Sequence, residues 1–189
     1  MYKKFGFCVL LTLISIVSSA QGQGYLGGSL GYSSMSLEPG HFGEFHGLGA
    51  NIRYGFSDLK AEDSFYPFLG LRIAEYEGHR HESMIWDITM VEPEAGVAWN
   101  IHLYNSAFFL ETSVSVGPAF SSYTRGIDTG GSYLTGDDKT TTGWSLRPGV
   151  MLGYKGAGVE LAYNILNIEL TDERMVKELY VGLFYRFAW

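Results

Sequence analysis

Phe108-Phe-Leu-Glu-Thr-Ser-Val-Ser-Val-Gly-Pro-Ala-Phe-Ser-Ser-Tyr123 alternates with a period of two. One parity reads Phe108, Leu110, Thr112, Val114, Val116, Pro118, Phe120, and the other Phe109, Glu111, Ser113, Ser115, Gly117, Ala119, Ser121. Such alternation marks a strand whose two faces meet different surroundings. The pattern returns in residues 142–154, where Trp144, Leu146, Pro148, Val150, Leu152 and Tyr154 oppose Gly143, Ser145, Arg147, Gly149, Met151 and Gly153. In residues 45–56, His46, Leu48, Ala50, Ile52, Tyr54 and Phe56 oppose Gly47, Gly49, Asn51, Arg53 and Gly55. Weaker copies occupy 25–35, 66–75, 159–165 and the final stretch. Residues 84–100 depart from the rule: apolar residues are even at Met84, Trp86, Ile88 and Met90, then odd at Val91, Ala95, Val97 and Trp99. A bulge at Glu92-Pro93 is expected there, since Pro93 lacks the N–H of a regular ladder. The sum is eight strands. Connections 38–44, 78–83, 126–139 and 167–174 alternate with the mostly shorter 57–64, 102–106 and 155–158, as in a meander with two unlike ends.

Composition narrows the setting. The chain has 189 residues, a length that fits one domain, and at 46% hydrophobic it is too apolar for disorder. Twenty Asp+Glu against 13 Lys+Arg argue against a nucleic-acid binder, which needs a basic face. Twenty-five Gly, 12 Phe and 13 Tyr with 17% charged residues point to a β-protein in an apolar solvent. Residues 1–20 read as a secretory signal: Lys3 and Lys4, an apolar run from Phe5 to Val17, then Ser18-Ser19-Ala20. Cys8, the one cysteine, falls inside that segment, so 21–189 has no disulfide, thiolate or cysteine-metal chemistry. After cleavage the longest apolar run, 179–185, is too short for a membrane helix.

Alternation does not say which face is outside. A soluble carrier of lipocalin type would turn the apolar face inward. The apolar parity, however, carries Trp144, Tyr154, Tyr54, Phe56, Phe108, Phe120, Phe187 and Trp189, too much bulk for the lumen of eight strands. The opposite parity is mostly Gly, Ser and Ala with a few long charged groups. The expected fold is therefore all-β: an eight-stranded antiparallel up-and-down transmembrane β-barrel, closed because hydrocarbon tolerates no open edge. Tyr54, Phe56 and Tyr154 are expected as interfacial aromatics.

The C-terminus reads Glu178-Leu-Tyr-Val-Gly-Leu-Phe-Tyr-Arg-Phe-Ala-Trp189, with Leu179, Val181, Leu183, Tyr185, Phe187 and Trp189 on one parity. Across residues 21–189 the chain resembles the small eight-stranded outer-membrane β-barrels of Gram-negative bacteria, of the OmpA/OmpX kind within the porin-family β-barrels. The resemblance implies that these six residues form the signal read by the barrel-assembly machinery, with Trp where Phe is more usual. It also implies an outer-membrane location, outer-membrane lipids and lipopolysaccharide as surroundings, and a monomer. No cofactor and no nucleic-acid partner is implied.

Three groups of residues could carry chemistry. On the lumen parity, Arg53, Arg72, Arg147 and Arg186 stand against Glu94, Glu111, Glu160 and Glu178, a balance that suits structural Arg–carboxylate pairs, bidentate in a dry interior. His41, His46, His79 and His81 fall in the first and third connections or their strand ends, where a rim metal site is conceivable although exposed loop histidines are the plainer reading. His81-Glu-Ser83 with Glu92 and Glu94 is similar to the His-x-Ser and Glu set of lipid A deacylases, but the residues around that family's motif are missing. Gly22-Gln-Gly-Tyr-Leu-Gly27 matches a dinucleotide-binding string without the strand before it or the helix after it. The expected role is a non-enzymatic, filled outer-membrane scaffold acting through its loops. A narrow solute channel is the alternative, and a lipid A-modifying enzyme a more distant one.

Overall fold

The computed structural model describes residues 24–36, 45–56, 63–78, 85–103, 107–125, 127–128, 133–134, 138–170 and 175–188. The expected leader, residues 1–20, lies outside them. The strands in chain order are β1 (Tyr25–Ser36), β2 (Phe45–Gly55), β3 (Asp63–Gly78), β4 (Ile85–Leu103), β5 (Phe108–Arg125), β6 (Ile127–Asp128), β7 (Tyr133–Leu134), β8 (Asp138–Tyr154), β9 (Ala157–Asn167) and β10 (Met175–Ala188). All but β6 and β7 close into one antiparallel barrel in the order β1-β10-β9-β8-β5-β4-β3-β2. β6 and β7 pair with each other inside the connection from β5 to β8.

The barrel closes where the last strand meets the first, from Tyr25↔Ala188 to Ser36↔Lys177. At that junction Gly31 faces Gly182, and a Cβ on Gly31 would sit 2.3 Å from the Gly182 Cα. The two backbones approach there as only glycine allows. One end of the barrel, here the turn end, carries Tyr154-Lys155-Gly156-Ala157. Lys155 and Gly156 both adopt positive φ (49° and 89°), as a two-residue hairpin twisting with its strands requires. The other end, the loop end, carries Met35, Phe45, Lys177 and Asp138.

Strand parity sorts the side chains radially. Outward, Leu30, Leu48, Ile52, Phe65, Leu152, Leu161 and Leu183 are exposed, Phe65 and Leu183 at 72%. Trp144, Tyr154, Phe56, Phe108, Phe120 and Phe187 share that side; Tyr54 has the same parity but is buried, edge-on to Phe56 at 4.7 Å. A soluble protein would bury such a wall, whereas a bilayer solvates it. β4, β5 and β8 have 19, 18 and 17 residues, more than the roughly 9–11 that cross hydrocarbon, so the wall continues past the apolar belt.

Two expectations about β4 are corrected. The bulge is at Asp87 (φ 40°), where the β4–β5 register shifts between Trp86 and Ile88, and not at Glu92-Pro93. The face does not flip, because Ile88, Met90, Glu92, Glu94, Ala98 and Asn100 all point inward. The even apolar residues belong to the lumen. There Met35, Phe45, Tyr76, Ile88, Met90, Leu166, Ile168, Leu170 and Val176 form an apolar core at the loop end. Tyr25, Tyr66, Phe68 and Ala98, with Phe109, Met151 and Phe184 nearby, line the turn end. Bulky apolar residues thus occupy both ends of an interior expected to hold mostly small and charged ones.

Candidate functional site

Between those apolar ends lies a buried ionic layer. Alternation on seven of the barrel strands aims Arg53, Arg72, Glu92, Glu94, Glu111, Arg147, Glu160, Glu178 and Arg186 into the lumen, each 8% exposed or less. All eight charges read from the sequence are there. Glu92 is the ninth, and its signal was available: it shares even parity with Glu94, two residues on.

The arginines do not form isolated bidentate pairs, because each carboxylate layer offers more than one acceptor. Arg53 reaches Glu111 at 3.1 Å and Glu160 at 3.9 Å. Arg147 holds Glu160 at 2.9 Å and lies 3.7 Å from Glu94, and Arg186 holds Glu111 at 2.9 Å. Nearer the loop end, Arg72 bridges Glu92 and Glu178. Asn164 Nδ2 donates to the second oxygens of both carboxylates, at 2.8 and 3.2 Å. Neutral donors add to the layer: Ser115 Oγ on Glu94 at 2.6 Å, and the Tyr66 hydroxyl on Glu111. Rings cover the guanidinium faces, Phe109 3.4 Å from Arg186 and Phe68 4.0 Å from Arg53. Buried charge is tolerated only when paired and hydrogen-bonded in this way.

Near the turn end a cavity of about 20 Å³, bounded by Asn51, Arg53, Glu160, Phe184 and Arg186, has room for roughly one water. The arrangement can lock eight strands together and occlude the axis. Glu92 and Glu94 are committed to Arg72 and to Ser115 and Arg147, away from the outer surface where a lipid-modifying Glu would act.

The other candidates are spread. His46 points outward at the loop end, its Nδ1 2.5 Å from the Tyr32 hydroxyl and its ring stacked on that of Tyr32. His41, His79, His81 and Ser83 lie outside the described residues. Among the described residues no group of three or more metal-ligating side chains converges. Gly24 to Gly27 run into strand β1 rather than a helix. Leu179, Val181, Leu183, Tyr185 and Phe187 all face outward on β10, with Tyr185 and Phe187 in edge contact at 4.4 Å; Trp189 lies outside the described residues.

No protein-family model matches the chain, and no curated protein sequence matches it. Among solved structures it is similar to the attachment invasion locus protein Ail of Yersinia pestis, at 14% identity and TM-score 0.51, over 88% of this chain and 99% of that one. A second Ail structure, in complex with the heparin analogue sucrose octasulfate, gives 16% identity and TM-score 0.52, over 87% and 99%. Neisserial surface protein A gives 13% and 0.52, over 87% of this chain and 97% of that one. Identities this low speak for the fold. The chain has the closed, antiparallel, up-and-down architecture of the small eight-stranded outer-membrane β-barrels, the group that its C-terminal alternation resembles.

Proposed function

We propose that the protein is an exported, monomeric outer-membrane barrel that conducts nothing and serves as a membrane-anchored scaffold for its loops. The observation that carries the reading is the lumen itself, an ionic layer closed at both ends by apolar side chains. A wet path would need a continuous polar lining; here Ile88, Met90 and Phe45 replace it at the loop end. Recognition is then left to the connections at that end, which rigid strands hold in fixed places. Outer-membrane lipids and lipopolysaccharide surround the apolar wall, and the barrel-assembly machinery reads Leu179 to Trp189. The N-terminal 20 residues direct export. Planar-bilayer recording of the purified protein in neutral salt tests the closed lumen: no stable unitary currents are expected, and stepwise openings would replace the scaffold with a channel.

A further inference from the structure

β1 is the barrel strand that brings no charged side chain to the lumen. At the level of the ionic layer it reads Tyr25-Leu-Gly-Gly-Ser29, and Gly27 takes the inward place between Tyr25 and Ser29. β1 is also the strand on which the barrel closes, against β10. Polar groups face each other across this seam, Asn51 and Arg53 on β2 and Glu160 on β9. They do not meet. Arg53 Nη2 lies 3.9 Å from Glu160, beyond hydrogen-bond reach.

The cavity of about 20 Å³ lies beside Gly27, and Asn51, Arg53 and Glu160 all line it. Each of the three is 4% exposed or less, and each has a polar atom with no hydrogen-bond partner in the protein: Asn51 Oδ1, Arg53 Nε and Glu160 Oε2. The other polar groups on the wall are engaged. Ser29 Oγ accepts from Tyr180 at 3.0 Å and lies beside Glu160, and the Tyr25 hydroxyl accepts from Tyr66 at 3.1 Å. Arg186 holds Glu111 and Asn100.

Two acceptors and one donor specify the occupant. A metal ion would meet the Arg53 N–H and two guanidinium charges, Arg53 and Arg186, against one carboxylate. An anion would meet Glu160 Oε2 and Asn51 Oδ1, both acceptors. A neutral molecule with two O–H groups to give and a lone pair to receive answers all three atoms, and the volume admits nothing larger than water. We propose that the cavity beside Gly27 is the site of one structural water, which accepts from Arg53 Nε and donates to Asn51 Oδ1 and Glu160 Oε2. It joins β2 to β9 across the closing seam, at the strand whose own sequence supplies no charge, and it spares three buried polar groups the cost of having no partner. The site is independent of what the loops bind.

Gly27 supplies the test, because its lack of a side chain leaves the space. A Cβ there would stand 3.3 Å from Tyr25 Cε2 and 3.5 Å from Arg186 Cβ, so a methyl fits after a small shift of the Tyr25 ring. Gly27→Ala takes the place of the water and gives the three atoms nothing, whereas Gly27→Ser puts a hydroxyl there. Comparing the two variants cancels the backbone effect common to losing a glycine. In dioleoylphosphatidylcholine vesicles Gly27→Ser should have the higher urea midpoint. At one fixed urea concentration its folded-to-unfolded ratio should exceed that of Gly27→Ala about fivefold, the order of one hydrogen bond. In wild type labelled with ¹⁵N-arginine, the Arg53 Nε–H should show a nuclear Overhauser contact to a water held for nanoseconds or longer, and Gly27→Ala should lose it. Stability of Gly27→Ala equal to or above that of Gly27→Ser, as filling a dry void would give, overturns the site. So does a wild-type Arg53 Nε–H without a water contact, a measurement that decides even where neither variant assembles.

Discussion

Arg72 shows how a single lumen residue ties distant parts of the chain together. It is 1% exposed, joins Glu92 on β4 to Glu178 on β10, and donates to Ser33 at 3.2 Å and Tyr76 at 3.0 Å. Arg72→Met would leave two carboxylates side by side around Asn164, and breaking a buried pair typically costs about 3–5 kcal/mol. Urea unfolding of the vesicle-inserted protein, followed by tryptophan fluorescence, should show that loss, and Arg72→Met/Glu178→Gln should recover part of it. An unchanged midpoint for Arg72→Met would mean the layer does not hold the barrel. Parity alone identified Arg72 and Glu178 as lumen residues. It could not pair them, because β3 and β10 meet only after closure, and Glu92 stayed hidden behind a supposed face flip.

At the scale of the element, turns and strand ends carry the sharpest demands. In the β8–β9 hairpin Gly156 has φ 89° and its carbonyl accepts the Arg186 N–H at 2.9 Å; a Cβ there would stand 2.8 Å from the Arg186 carbonyl. Gly156→Val should cost about 1–3 kcal/mol through the left-handed conformation and should accelerate unfolding in the same urea assay. Wild-type behaviour would contradict that backbone geometry. β10 makes a different demand. It must find β1 before either edge is satisfied, so deleting Trp189 should lower outer-membrane levels and leave protease-sensitive periplasmic chain. Normal assembly of the deletion into a heat-modifiable band would remove the recognition role from this strand. Alternation made β5, β8 and β10 readable at once. β4 was misread because its inward residues are apolar near the loop end and charged in the middle, so hydrophobicity and orientation separate there.

For the whole molecule, an even number of barrel strands puts Tyr25 and Ala188 at the same end, paired with each other. If that end is periplasmic, a cysteine at Ser132, in the connection between β5 and β8, should react with an impermeant maleimide on intact cells. A cysteine at Ala157, beside the β8–β9 turn, should stay unlabelled; the reverse pattern would invert the barrel. The sequence by itself determined the class of fold, the number of strands around the barrel, the outward wall and eight of the nine lumen charges. Each follows from a period-two pattern that local chain geometry imposes on every strand, whatever its neighbours. The tertiary structure decided what depends on two strands meeting. It set which arginine serves which glutamate, the bulge at Asp87, and the apolar cores at both ends of the lumen. Register between strands is fixed by closure of the whole barrel, and no single strand contains that information.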